Sequence, residues 1–380
     1  MAKLGELGKI ITGNTPKTSD AQNYKSNDIC FVKPSDFTDN EITEIHQSEF
    51  YISAYAKDKA RVLPTDSILV TCIGIIGKVA INKVPCAFNQ QINAIIPERK
   101  ICGPRYVAYA IQNVQPQMQN TANAAVVPIL NKTQFSNIEI PLPSLETQKQ
   151  IVEFLDKVTS LISLRKQQLA KLDELVKARF VEMFGVVHNS VLYPYVPVKS
   201  FTSVVSGGTP NRNVSEFWNN GSIRWVKTTE LQNNVICNTD EKITQAGLDN
   251  SSAKIIPPNT VLIAMYGQGK TRGMTGYTSI ECATNQACAC ILPCEQFNQN
   301  YLWRYMILSY DKLRDMAKGG NQPNLNIGII KNFPVLKPPI ELQNDFAAFA
   351  ERVDQQKQTI QQSLEKLELM KKALMQEYFG

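Results

Sequence analysis

The chain repeats itself at the scale of a whole domain. Ile29-Cys30-Phe31-Val32-Lys33 is echoed 194 positions later by Ile223-Arg224-Trp225-Val226-Lys227. Asn89-Gln90-Gln91 returns as Asn285-Gln286-Ala287, and Leu145-Glu146-Thr147-Gln148 returns 195 positions on as Ile340-Glu341-Leu342-Gln343. In a chain of 380 residues this spacing is a tandem duplication of a domain plus a connector. It is far longer than the ~20–50-residue period of solenoid repeats. Two similar but non-identical domains on one chain suit two similar but non-identical targets, which is the geometry of bipartite recognition.

Each half reads as a globular stretch followed by a long helix. The globular parts, 1–143 and 190–338, are expected to be strand-rich. Ser67-Ile68-Leu69-Val70 and Thr260-Val261-Leu262-Ile263 are short apolar runs, preceded by Val62-Leu63-Pro64 and Ile255-Ile256-Pro257-Pro258. Their prolines confine them to short, interrupted strands. Residues 106–111 and 301–308 are apolar enough for one short helix each. The expectation is an α+β domain on a curved, mostly antiparallel sheet, present twice.

The connectors, 144–185 and 339–380, differ in kind. Residues 146–184 contain no Gly and no Pro. Apolar residues fall at Ile151, Leu155, Val158, Ile162, Leu169, Leu172, Val176 and Met183, with Arg165 and Arg179 in two polar slots. The second connector repeats the register with Phe346, Ala350, Val353, Ile360, Leu364, Leu367, Leu374 and Tyr378, and with Lys357 and Lys371 in its slots. Alternating steps of four and three make a coiled-coil seam. Pro141 and Pro143, then Pro338 and Pro339, stand ahead of the helices, and Gly185 and Gly380 follow them, as helix starts and stops require. A helix of about 39 residues spans roughly 58 Å. The seam predicts that 146–184 and 343–379 pair antiparallel, with the two domains as a pseudo-two-fold pair and the rod as a ruler. The other reading packs each helix on its own domain alone.

Formal charge is +6, mildly basic and compatible with nucleic-acid binding. The N-terminus shows no apolar leader, and no run of about 18 apolar residues predicts a membrane span. The nine scattered cysteines read as reduced, mostly buried thiols. A cytoplasmic protein without membrane attachment is expected.

No catalytic constellation is legible. Gly267-Gln268-Gly269-Lys270-Thr271 looks like the end of a P-loop, but Ala264 stands where a Walker A glycine belongs, and Gly273 and Gly276 follow at once. The segment reads better as a tight glycine loop after a strand, bringing N–H groups and a lysine to a phosphate. A turn with a solvated lysine is the other reading. Gly74-Ile75-Ile76-Gly77-Lys78 is its counterpart in the first half. Cys282, Cys288, Cys290 and Cys294 lack zinc-ribbon spacing, and His46 and His188 lie in different segments; no metal site is expected. Thr15-Pro16-Lys17 corresponds to Thr209-Pro210-Asn211-Arg212, and Gly319-Gly320-Asn321-Gln322-Pro323-Asn324 is rich in amides. Asn and Gln pair with adenine and Arg or Lys with guanine, although the same residues also serve ordinary turns. Candidate DNA contacts are therefore Lys17, Lys78, Arg212, Gln268, Lys270, Arg272, Asn321 and Gln322. The first-half segment Thr121-Ala122-Asn123-Ala124-Ala125 diverges from its counterpart, so framework strands match while loops differ.

In these features the chain resembles the DNA specificity (S) subunits of Type I restriction–modification systems. The resemblance covers nearly the whole chain. It is carried by the two halves with their helices, by Thr12-Gly13-Asn14-Thr15-Pro16 and Ser206-Gly207-Gly208-Thr209-Pro210, by the strand Ile68-Leu69-Val70 with its glycine loop, and by the proline-led helix starts. The second glycine loop departs by reading Gly-Gln-Gly-Lys. The resemblance implies a non-enzymatic subunit with two target-recognition domains, each reading one part of a split site in double-stranded DNA. It implies a coiled coil that spaces the domains and docks two methyltransferase (M) subunits, with restriction (R) subunits as further partners. S-adenosylmethionine and ATP then belong to those partners, and this chain carries no cofactor. Two alternatives stay open: a specificity module of another methylation-linked system, and a coiled-coil scaffold that recognises proteins.

Overall fold

The computed structural model describes all residues except 40, 123–126, 268 and 318–323. They form two compact units, residues 1–166 with 361–380 and residues 167–360. The first half of the chain supplies strands β1 (Ala2–Lys3), β2 (Gly8–Thr12), β3 (Ile29–Val32), β4 (Thr43–Ile45), β5 (Phe50–Ile52), β6 (Ile68–Thr71), β7 (Val79–Asn82), β8 (Cys86–Phe88), β9 (Ile92–Pro97) and β10 (Glu139–Ile140). Its helices are α1 (Pro104–Asn113), α2 (Gln115–Thr121), α3 (Lys132–Ser136) and α4 (Leu145–Phe184). The second half supplies β11 (Tyr195–Pro197), β12 (Val204–Ser206), β13 (Ile223–Val226), β14 (Asn234–Ile236), β15 (Glu241–Ile243), β16 (Val261–Ala264), β17 (Thr275–Thr278), β18 (Ala283–Thr284), β19 (Cys288–Ile291) and β20 (Pro334–Leu336). Its helices are α5 (Gln245–Asp249), α6 (Gln299–Leu308), α7 (Tyr310–Met316), α8 (Ile327–Lys331) and α9 (Ile340–Phe379).

The duplication in sequence is a duplication of topology. The first unit has a five-stranded sheet ordered β2-β9-β6-β7-β4, a three-stranded sheet β5-β3-β8 and the pair β1-β10. The second has β12-β19-β16-β17-β14, β15-β13-β18 and β11-β20, position for position the same. Pairing is mostly antiparallel, as expected, with β4–β7 and β3–β8 parallel and their counterparts β14–β17 and β13–β18 parallel too. The proline-bounded runs before β6 and β16 contribute only single bridges, Leu63 to Cys86 and Ile256 to Cys282, because proline offers no ladder donor.

Strand alternation divides each core into layers. Ile68 and Val70 face the helices while Leu69 faces the three-stranded sheet. Val261 and Ile263 against Leu262 and Ala264 repeat this division. Both faces are covered, so these strands read as continuous apolar runs.

The long helices are each shared between the units. In the first unit the early part of α4 buries Ile151 and Leu155 together with Met375 and Phe379 from the end of α9. Lys166 Nζ lies 3.4 Å from Glu368 there. In the second unit the end of α4 buries Val176, Phe180 and Phe184 with Phe346, Ala350 and Val353 from the start of α9, and Lys357 pairs with Asp173. Within each unit, later residues of one helix meet earlier residues of the other, so the segments are antiparallel. The linear limits 1–143, 144–185, 190–338 and 339–380 therefore do not coincide with the compact units, because each globular core is finished by segments of both helices.

Ile151, Leu155, Val158, Ile162, Phe346, Val353 and Leu364 are buried, and of these Ile151, Leu155, Phe346 and Val353 belong to the globular cores. Leu169, Leu172, Ile360 and Leu367 are half-buried. Toward each helix C-terminus burial moves off the heptad seam. Phe180 and Phe184, and Met375 and Phe379 at positions 195 later, turn into the globular cores. The Phe180 ring lies 5.9 Å from Tyr301, and Phe379 lies 5.3 Å from Tyr106.

The repeated glutamine at each helix start has a structural cause. Gln148 is buried, accepting from Gly103 N at 3.0 Å and donating to Pro143 O at 2.9 Å and Ile101 O at 3.1 Å. Gln343 accepts from Asn298 N at 3.0 Å and donates to Pro338 O at 2.8 Å. Each clips its long helix to the loop before α1 or α6, and the buried amide is satisfied.

Candidate nucleic-acid interface

In each unit four loops gather at one end of the five-stranded sheet. They are the loop after β2, the β6–β7 loop, the β8–β9 turn and the segment before α3, with their counterparts in the second unit. The same bonds tie them in both. Thr15 Oγ1 donates to Gln90 Oε1 at 2.7 Å, Cys72 N to Gln91 O at 2.7 Å, and Leu130 N to Cys72 O at 2.9 Å. Thr209 Oγ1 donates to Gln286 Oε1, Met265 N to Ala287 O at 2.8 Å, and Leu325 N to Met265 O at 3.1 Å. These bonds explain why Asn-Gln recurs in both halves. They also place the loops bearing Lys17 and Lys78 together, and the loops bearing Arg212, Lys270 and Arg272 together. Gln268, Asn321 and Gln322 lie outside the described residues.

Strand register corrects the equivalence of the two glycine loops. Val70 pairs with Val79 and Ile263 with Thr275. Gly77 N donates to Thr71 O at 2.8 Å, and Gly273 N donates to Ala264 O at 2.9 Å. Both glycines have positive φ, 85° and 87°, a conformation that suits only glycine readily. Gly77 therefore corresponds to Gly273, and Lys78 to Met274. The second loop is longer by three residues, and its cations Lys270 and Arg272 stand where the first loop has no cation.

The candidates fall into different surroundings. Lys78 is mostly covered, with its side chain 13% exposed; its Nζ lies 2.6 Å from Asp39 and holds that loop in place. Lys17 is exposed, and its carbonyl accepts from Asn23 Nδ2 at 2.9 Å. Lys270 is exposed, and Arg272 is half-buried. Their loop is braced from behind by α7. Arg314 Nη1 donates to Gly269 O at 2.9 Å and Arg272 O at 3.1 Å, while Tyr310 Oη donates to Lys270 O at 2.8 Å. With three carbonyls turned toward α7, the Lys270 side chain is presented from a fixed backbone.

Arg212 is the most elaborately held cation. Its guanidinium stacks 3.8 Å from the Trp218 ring and 4.9 Å from Trp225, and Nη1 donates to Glu241 Oε2 at 2.5 Å. Lys227 Nζ also donates to Glu241, at 3.0 Å. Burial acts to raise the Glu241 pKa, but the bonds from Arg212 and Lys227 outweigh it and hold the carboxyl below its ordinary value. The tryptophans escaped the sequence reading. Their signal was an arginine followed at short range by an aromatic on the next turn and another on the next strand.

Seven of the nine cysteines are buried, while Cys294 is half-buried and Cys237 exposed. Cys288 and Cys290 share one face of the five-stranded sheet with Leu262 and Ala264 on the neighbouring strand, and burial pushes the Cys282 and Cys290 thiols up to about 12. Among the described residues, no group of three His, Cys, Asp or Glu could hold a metal ion. No helix among them is long and apolar enough to cross a membrane.

Comparison with known proteins points one way. The family model for the Type I restriction modification DNA specificity domain matches residues 1–174 and 193–369. A specificity subunit of the Type I restriction enzyme MjaIX of Methanocaldococcus jannaschii is 23% identical over 366 residues, covering 90% of this chain and 84% of the relative. Among solved structures, the Type I restriction–modification S subunit from M. genitalium aligns with a TM-score of 0.57 at 13% identity, covering 100% and 95% of the two chains. A chain from a study of complex assembly and conformational transition of the type I R-M system aligns with a TM-score of 0.61 at 16% identity, covering 99% and 96%.

Proposed function

The chain belongs to the Type I restriction modification DNA specificity domain family, and from that premise we propose that it is the sequence-reading subunit of a Type I restriction–modification complex. Each unit reads one half of a bipartite site in double-stranded DNA, and the paired helices set the spacing between halves. The observation that carries this reading is the duplicated loop cluster: one topology, one set of inter-loop bonds, two different sets of exposed side chains. A fixed scaffold with exchanged loops is what two half-site specificities require.

Lys17 in the first unit and Arg212, Lys270 and Arg272 in the second are the described residues we assign to DNA; Gln268, Asn321 and Gln322 complete the assignment. Lys78 supports its loop from within. The chain itself is assigned no catalysis and no cofactor. S-adenosylmethionine and ATP serve partner methyltransferase and restriction subunits, which act where the cytoplasmic DNA is. Exposed apolar residues on the helices support protein partners: Phe154, Leu161, Leu164 and Leu175 on α4, and Leu369 and Met370 on α9. Phe154, Leu161 and Leu164 stand seven and three positions apart and so fall on one face of α4, and a shared exposed apolar face marks an interaction surface. Leu175 and Met370 occupy equivalent positions, 195 apart, which suits two copies of one methyltransferase subunit. Comparing the methylomes of cells with and without this gene tests the reading. Loss of methylation at one split motif is expected, and an unchanged methylome overturns it.

A further inference from the structure

We propose that Ile75 reads a thymine methyl group in the half-site met by the first unit. This rests on the DNA-reading role proposed above and specifies its chemistry. Ile75 is 60% exposed at the tip of the β6–β7 loop, while its neighbour Ile76 is 2% exposed and anchors the loop inward. Gly74 and Gly77, at φ of 76° and 85°, make the turn that lifts Ile75 out.

The backbone beneath it is held from two sides. Gln115 Nε2 donates to Ile76 O at 3.0 Å, and Gly74 N donates to Pro128 O at 3.1 Å. Ile73 bridges to Ile129. Val127 and Ile129, 45% and 43% exposed, stand on that adjoining segment, and Pro128 lines a cleft of about 270 Å³ with Ile75. A β-branched side chain has few rotamers, so Ile75 is a stiff apolar probe on a fixed support.

The duplication says what the probe faces. The corresponding loop of the second unit carries Lys270 and Arg272, which the proposed function places on DNA. The only cation of the first loop, Lys78, is engaged with Asp39. The same surface thus offers charge in one unit and hydrocarbon in the other. Among the base edges of the major groove, the apolar feature is the thymine C5-methyl. Lys17, on the loop tied to the same cluster, supplies a cation for the flanking backbone.

The test uses the full chain with its partner methyltransferase and duplexes bearing the methylated motif. Deoxyuridine replaces thymine, one position at a time, which removes only the methyl. The wild-type complex should lose about fourfold in affinity at one position of the first half-site, the size expected for one buried methyl. Ile75→Ala should bind thymine and deoxyuridine duplexes alike at that position, with its salt dependence and its preference in the second half-site unchanged. A wild-type complex indifferent to every substitution in the first half-site overturns the proposal, as does a half-site without thymine on either strand. So does an Ile75→Ala complex that keeps the fourfold ratio, or one that fails to assemble with the methyltransferase, which would make Ile75 a protein contact. Failure of the underlying reading looks different: no motif-dependent binding by either complex.

Discussion

A cation's environment decides what its loss would do. Lys270 is exposed and is held through its carbonyl by Tyr310, which alanine keeps, so Lys270→Ala should leave thermal stability unchanged while weakening duplex binding. If it meets a phosphate, affinity should fall equally for all sequences and the salt slope should drop by about one. Arg212 is different, since stacking on two tryptophans fixes its fork in one orientation. If that orientation addresses a base, Arg212→Ala should erase roughly 1–3 kcal/mol of discrimination at one position, read from methylation of single-base variants. His188 offers a pH test. Burial, and secondarily Lys312, lower its pKa, and its ring packs 5.5 Å from Tyr305 and 5.6 Å from Phe333. The fold therefore favours the neutral ring. Stability is complete above the ordinary histidine value of about 6.5 and falls as pH drops below it toward the lowered folded value. His188→Asn suits the local φ of 66° and should remove that acid-dependent fall in melting temperature.

At the scale of elements, the glycine loops show what residue types alone could and could not reveal. A Cβ on Gly77 would stand 2.6 Å from Gln115 Cγ, and one on Gly273 would stand 3.4 Å from Arg314 Cγ. Both substitutions to Ala force a positive φ on a side-chain-bearing residue, at about 1–3 kcal/mol. Gly77→Ala should lower the melting temperature more, because it also displaces Gln115. Matching the loops by their Gly and Lys letters paired Lys78 with Lys270. Only the strand ladders reveal that three extra residues intervene and that Gly273 is the true counterpart of Gly77. Strands and helices were legible because their periodicity is dictated by burial. Ile68 to Val70 and the seam from Ile151 to Ile162 obey that rule. Loop equivalence was not, because glycine-rich segments have no period. The Phe180 and Phe379 plugs were missed for a related reason: a heptad template follows one seam and does not register a second stripe entering another core. On the outer helix faces, Leu175→Asp combined with Met370→Asp should block assembly with the methyltransferase while leaving duplex binding by the isolated chain intact, as size-exclusion and titration would show.

For the whole molecule, duplication predicts modular specificity. Replacing 190–338 with the matching domain of a relative should change one half of the methylated motif and preserve the other. Deleting seven residues from both helices removes roughly 10 Å of helix, about three base-pair steps, and methylation mapping should find a shorter gap. Retention of the original gap at full activity would confine the helices to partner docking. The exchange of helix ends carries a further consequence, in the order of synthesis. Domains generally fold from the N-terminus as the ribosome releases them, at ~5–20 residues per second. The first unit departs from this, since Met375 and Phe379 belong to its core. It must wait roughly 10–40 s for the end of α9, residues 361–380, which is made after the entire second unit. A nonsense codon or frameshift anywhere downstream therefore leaves the first reader unfinished along with the second. Chains stopped before residue 361 lack the segment that completes the first unit, so they should be degraded instead of occupying half-sites as lone DNA binders, as a pulse-chase of such truncations would show.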